Sequence, residues 1–198
     1  LNIKQLNKDS VSYFYIDQER KNIYYFNRQD SILYESDLEG ERFKELSVLP
    51  KAFKGIPKGL KLSEDKEKIL LFNSHQICVL YLSPRGSLLY GQNPLMLDYP
   101  GKQIIQVFWH SDSYHLILVT DKNISVLETN VPSNELSLVN LNGFPSELFY
   151  DVDRDNLYFS DYQMGNDGAI YENVYKLEFS EKASIISNVV KLRQNERE

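Results

Sequence analysis

The 198-residue chain predicts an all-β fold built from four similar antiparallel units, and three observations carry that expectation. Extended runs of Val, Ile, Leu, Tyr and Phe recur along it, while helical periodicity is scarce. Each unit repeats one plan: an apolar run, a polar turn, a second run, a short turn and a third run. The first apolar residues after the longer turns, Ile23, Ile69, Leu116 and Leu157, lie 46, 47 and 41 residues apart. Blades of a β-propeller repeat at about 40–50 residues. A turn held at one phase of such a period is unusual for a generic antiparallel sandwich. The sequence therefore predicts a propeller region of about four four-stranded blades.

The elements follow in order. The first blade, about 10–50, takes strands at Ser12–Ile16, Ile23–Phe26, Ser31–Tyr34 and Phe43–Leu49, with its long turn at Asp17–Asn22. The second, about 56–98, takes Gly59–Leu62, Ile69–Phe72, Gln76–Leu82 and Ser87–Tyr90, with its turn at Ser63–Lys68. The third, about 102–142, takes Ile104–Trp109, Leu116–Val119, Asn123–Leu127 and Leu136–Leu141 around a turn at His110–His115. The fourth, about 145–192, takes Glu147–Tyr150, Leu157–Ser160, Asn173–Leu177 and Ile185–Leu192 around a turn at Asp151–Asn156. Second strands such as Ile69-Leu70-Leu71-Phe72 are continuously apolar, as strands covered on both faces must be.

Composition excludes several roles. With 22 Lys+Arg against 28 Asp+Glu the net charge is −6, which argues against nucleic acid or an anionic membrane surface as the main partner. One cysteine, Cys78, excludes an internal disulfide framework and Cys-rich metal sites. No secretory signal is visible. The longest apolar run, Ile77–Leu82, is far shorter than the roughly 20 residues of a membrane helix, so the domain itself is expected not to insert. Most propellers use more than four blades. Together with the opening Leu1-Asn2-Ile3-Lys4, this predicts an open arc cut from a ring of six to eight blades, with Leu1–Leu6 an outer closing strand. Its exposed edges would pair with missing blades or with a second copy of the chain.

Candidate sites are few. Asp151, Asp153 and Asp155 alternate like the first half of a calcium loop, but Asn156 and Tyr162 stand where Gly and Glu are required. A solvated hairpin turn is expected there. His75, His110 and His115 are the only histidines, and no further ligands stand at a recognisable spacing, so His110 and His115 are expected on a solvated loop and no metal is predicted. Lys51, Lys54, Lys58 and Lys61 fall in a crossing marked by Gly55, Pro57 and Gly59 and are likewise expected to be solvated. No nucleophile elbow exists, Cys78 lies in an apolar strand, and neither a catalytic residue nor a cofactor is predicted. The formal sequon Asn123-Ile124-Ser125 is given no role. The best contact surface is the segment Asp161–Glu172, a dozen residues in place of a tight turn, with Tyr162, Met164, Asn166, Asp167 and Tyr171 as binding residues.

The turns Leu62-Ser63-Glu64-Asp65-Lys66-Glu67-Lys68-Ile69 and Trp109-His110-Ser111-Asp112-Ser113-Tyr114-His115-Leu116 resemble the Ser-Pro-Asp-Gly-Lys-Lys turn of TolB-like and WD-like propeller repeats. The third repeat is also similar to propeller regions of bacterial PEGA-domain proteins. Pro and Gly are absent from these turns here, and no Trp-Asp dipeptide closes a strand. The resemblance implies an envelope-associated, extracytoplasmic scaffold that binds a protein or a glycan. The expected function is thus a non-enzymatic binding scaffold. The alternative is a propeller enzyme such as a glycan-active hydrolase or lyase, which needs paired carboxylates about 5–10 Å apart.

Overall fold

The computed structural model describes residues 11–49, 51–82, 94–129 and 134–179. Within them fifteen strands form four antiparallel sheets, and no helix is long and apolar enough to cross a membrane. The first sheet runs β1 (Val11–Asp17), β2 (Asn22–Asn27), β3 (Ile32–Asp37), β4 (Phe43–Val48). The second runs β5 (Gly59–Leu62), β6 (Lys68–Phe72), β7 (Gln76–Tyr81), β8 (Leu95–Asp98). The third runs β9 (Ile104–Trp109), β10 (His115–Thr120), β11 (Asn123–Glu128), β12 (Glu135–Asn140). The fourth holds β13 (Leu148–Asp151), β14 (Asn156–Met164) and β15 (Ile170–Glu178).

Among the described residues, the strand that pairs with β7 in the second sheet is Leu95–Asp98, and the strand expected at Ser87–Tyr90 is one of those that fall outside them. Positions 87–90, 185–192 and 1–6 lie outside the described residues. The segment 161–172 is not a loop. Strand β14 runs on to Met164 and β15 starts at Ile170, paired without a break from Asn156↔Glu178 to Met164↔Ile170. Alternating bulky residues, Tyr162, Met164, Ile170 and Glu172, let the ladder continue past the length of the other hairpins.

Side-chain alternation builds three cores between four sheets. Along β6, Ile69 and Leu71 pack against Tyr24, Phe26 and Leu33 of the first sheet, while Leu70 and Phe72 pack against Ile104, Val107 and Leu118 of the third. Along β10, Leu116 and Leu118 return that contact, and Ile117 and Val119 meet Leu157 and Phe159 of the fourth. A strand with period two and apolar residues on both faces is thus sandwiched between neighbouring sheets. The innermost strands also touch in succession, β1 against β5 and β5 against β9. Face-to-face sheets with converging inner strands are the blades of a propeller arc.

The turns that close β1 on β2 and its counterparts share one backbone device. Lys21, Lys66, Ser113 and Asp155 all adopt φ between 54° and 62° just before the second strand. Lys66 and Ser113 stand where the resembling turn has Gly, so the left-handed geometry persists without the residue that adopts it freely. Side chains at the turn entrance compensate. Asp17 accepts from the amides of Glu19 and Arg20, Asp65 from that of Glu67, Asp112 from those of Tyr114 and His115, and Asp151 from that of Arg154.

Candidate functional site

The register places one residue of each inner strand at an equivalent position. Ile16, Leu62, Trp109 and Tyr150 pair with the first apolar residue of their second strands, so the residues one place earlier are Tyr15, Lys61, Phe108 and Phe149. Three of these four are aromatic and one is a lysine. Leu60 and Leu62 face the first sheet, so Lys61 points the other way, toward the third. Its Nζ lies 4.1 Å from the centroid of the Phe108 ring. Phe108 in turn meets Tyr150 at 5.9 Å between centroids.

Lys61, Phe108 and Tyr150 line a groove of about 370 Å³ at the ends of the inner strands, with Tyr15, Glu64, Trp109 and Val152 completing its wall, while Phe149 stands outside it. All four sheets contribute. Lys61 was expected on a solvated crossing; it sits instead inside β5, half-buried, and loss of hydration pushes its ammonium pKa down to about 8. Lys51, Lys54 and Lys58 of the same run are exposed. The signal available in the sequence was positional: Lys61 is the charged residue in an aromatic column of the repeat.

Beside the groove, each first turn bonds to the next sheet. Arg20 donates to the Lys66 carbonyl at 2.9 Å, and the Asp65 amide donates to Ser113 Oγ at 2.9 Å. Ser111 N–H donates to the Tyr150 hydroxyl at 3.2 Å. The last junction is the most polar. His110 Nδ1 lies 3.2 Å from Asp112, its Nε2 lies 3.1 Å from Asp155, and the Tyr150 hydroxyl donates to Asp155 at 2.5 Å. His115 Nδ1 closes on Asp112 at 2.6 Å.

His110, His115 and Asp155 are buried, correcting the expectation of a solvated loop and a solvated turn. They are buried because His110 fills the junction between two blades, edge-on to Phe179 at 5.5 Å. Burial opposes charge on His110, but carboxylates at both ring nitrogens outweigh it and raise its pKa above 6.5. Burial likewise disfavours the Asp112 carboxylate, yet hydrogen bonds from His110 and His115 hold it well below the usual range. Donor atoms of His110, Asp112 and His115 lie within 4.8 Å of one another, a spacing a metal ion could span. Both imidazoles bond Asp112 within the β9–β10 turn, and the contact of His110 with Asp155 makes the cluster a latch between the third and fourth sheets.

The five residues predicted to bind lie elsewhere, at the far end of the β14–β15 hairpin. Met164 pairs with Ile170 on one face, while Tyr171 pairs with Gln163 on the other. Tyr171 donates to Asp167 at 2.6 Å, and Asp167 also accepts from the Ala169 amide, which locks the turn. Asn166 is exposed, and the half-buried Tyr162 packs against Gly143, its carbonyl accepting from Asn142. The hairpin brings the five together at one tip and divides them between two faces.

Two further positions have structural duties. Cys78 is buried, and desolvation pushes its thiol pKa up to about 12. The sequon amide of Asn123 is buried and donates to Ser137 Oγ at 2.9 Å.

Sheets stacked around converging inner strands define a class, the propeller arc. Solved structures agree. A chain of the yeast Nup82-Nup159-Nup116 nucleoporin complex superposes with TM-score 0.54 at 18% identity, over 84% of this chain and 42% of that one. The extracellular domain of a putative one-component system from B. thetaiotaomicron gives 0.55 at 11% identity, over 85% and 20%. A chain of a nidogen/laminin complex gives 0.53 at 15% identity, over 78% and 57%. This chain spans from a fifth to somewhat over half the length of these structures. Such identities show the fold alone. No family model matches the chain, TolB-like and PEGA families included, and no curated protein matches it.

Proposed function

We propose that the chain is a non-enzymatic propeller scaffold that binds a protein or glycan partner through the groove at the ends of its inner strands. The observation that carries this role is the convergence of Tyr15, Lys61, Phe108 and Tyr150, one from each sheet, on a single concave wall. Aromatic side chains around one cation give contact area and orientation at low entropic cost.

Peptide and glycan arrays probed with the labelled chain test the role. Ligands retained by the native chain are expected to be lost at least tenfold in Tyr15→Ala, with melting temperature changed by only a few degrees. Recovered ligands are expected to be unchanged in mass after prolonged incubation with equimolar protein. A product of altered mass would overturn the scaffold in favour of an enzyme.

A further inference from the structure

Lys61 and Lys68 are both lysines within strands of the second sheet, and the fold treats them differently. Lys68 is buried at 3% exposure, and its Nζ lies 2.5 Å from Asp65, with the Tyr114 ring 4.9 Å away. That is the ordinary solution for a lysine out of water: a carboxylate partner. Lys61 has the ring of Phe108 and, among the described residues, no carboxylate within ion-pair distance. Glu64, the one carboxylate in the groove wall, is exposed on the following turn. Around Lys61 stand Tyr15 from β1, Phe108 and Trp109 from β9 and Tyr150 from β13, none of them able to neutralise it at neutral pH.

We propose that Lys61 anchors a carboxylate supplied by the ligand, an acidic group of a peptide flanked by an apolar side chain that lies on the Phe108 and Tyr15 rings. This deepens the scaffold role above and rests on it. A groove wall of aromatic rings favours an apolar neighbour to the acid, which peptides carry and polyhydroxylated sugar acids lack. A cation already short of hydration gives up little water when a carboxylate arrives. Its depressed pKa of about 8 is restored by that charge, so binding takes up a proton and weakens as pH rises past 8.

The chain carries its own reporter. Trp109 is the single tryptophan, lines the groove, and donates its indole N–H to the Lys61 carbonyl at 3.3 Å. Trp109 fluorescence is followed while hexanoate or its neutral isostere hexanamide is added. The expected result is saturation with hexanoate at least tenfold tighter than with hexanamide, and a preference that falls between pH 7 and pH 9. Lys61→Met should abolish that preference and Lys61→Arg should retain it through all pH values. Equal binding of the two probes, or a preference that survives in Lys61→Met, would overturn the proposal. If array ligands remain bound in that event, the carboxylate anchor falls and the scaffold role stands; if they never bound, the scaffold role falls as well. N-acetyl-leucyl-aspartate against glucuronate separates the sources: a response confined to glucuronate overturns the peptide assignment.

Discussion

The second and third sheets and the fourth are built from the same kind of sequence but live in different surroundings. Every residue of β6, β7 and β10 is buried, because a sheet lies on either side. In β15 none is, and the strand leaves Ile170, Tyr171 and Val174 exposed, Val174 at 78%. The column of inner-strand residues makes the same point position by position. Phe108 is sheltered against the fourth sheet, whereas Phe149, one repeat later, is 61% exposed. At the other end, Ile16 is exposed where the equivalent Leu62 and Trp109 are buried, and Phe14 where the equivalent Leu60 and Val107 are. Apolar pattern therefore specifies which face of a strand can be covered, and only an adjoining sheet determines whether it is.

The largest way to break this contrast is to cut a side chain from a doubly covered strand. Leu118→Ala, at 0% exposure between the second and third sheets, is expected to cost about 3 kcal/mol in urea unfolding. Val174→Ala on the open face should stay within about 0.5 kcal/mol. Equal losses would mean that the fourth sheet is covered in solution. Gly59 offers a second probe of the covered region. A Cβ there would stand 2.3 Å from the Phe72 ring, so Gly59→Ala should cost about 1–3 kcal/mol by forcing that packed ring aside.

The latch comes next. Asp155→Ala removes the acceptor of the Tyr150 O–H and the partner of His110 Nε2 at the junction, at about 1–3 kcal/mol by the same assay. Its pH dependence has a definite sign. His110 has a raised folded pKa, so its contribution is full below about 6.5, the unfolded value, and is lost as pH rises through the folded one. Asp112 is lowered, so its contribution is present above about 3.8 and is lost as pH falls toward its folded value. Melting temperature should therefore peak between these limits, and His110→Gln should flatten the alkaline side. A native profile unchanged by His110→Gln would rule out the imidazolium.

The smallest effect concerns the left-handed turns. Lys21→Gly relieves an exposed side chain held at φ 56° and is expected to stabilise by up to about 1 kcal/mol. Destabilisation by that amount would show that Lys21 is held there by contacts rather than tolerated.

Much of the architecture was legible in the residues alone. The 46- and 47-residue spacings, and strands such as Ile104–Trp109 at both bounds, follow from local rules: period-two runs, polar turns and the absence of helical pattern. The hairpin at 161–172 was not legible, because Gly165, Asn166, Asp167 and Gly168 read as a loop while the ladder on either side depends on cross-strand partners. Nor was the site. That Lys61 faces a Phe108 ring, or that His110 reaches Asp155 of the next blade, depends on contacts 45–47 residues apart. By itself the sequence determined the blade, its turns and the faces able to be buried, since these are set by neighbours in the chain. The tertiary structure decided which lysine gained a carboxylate, which histidine left water and which apolar faces stayed open. Charge and burial are properties of a place, and the place exists only once the sheets have stacked.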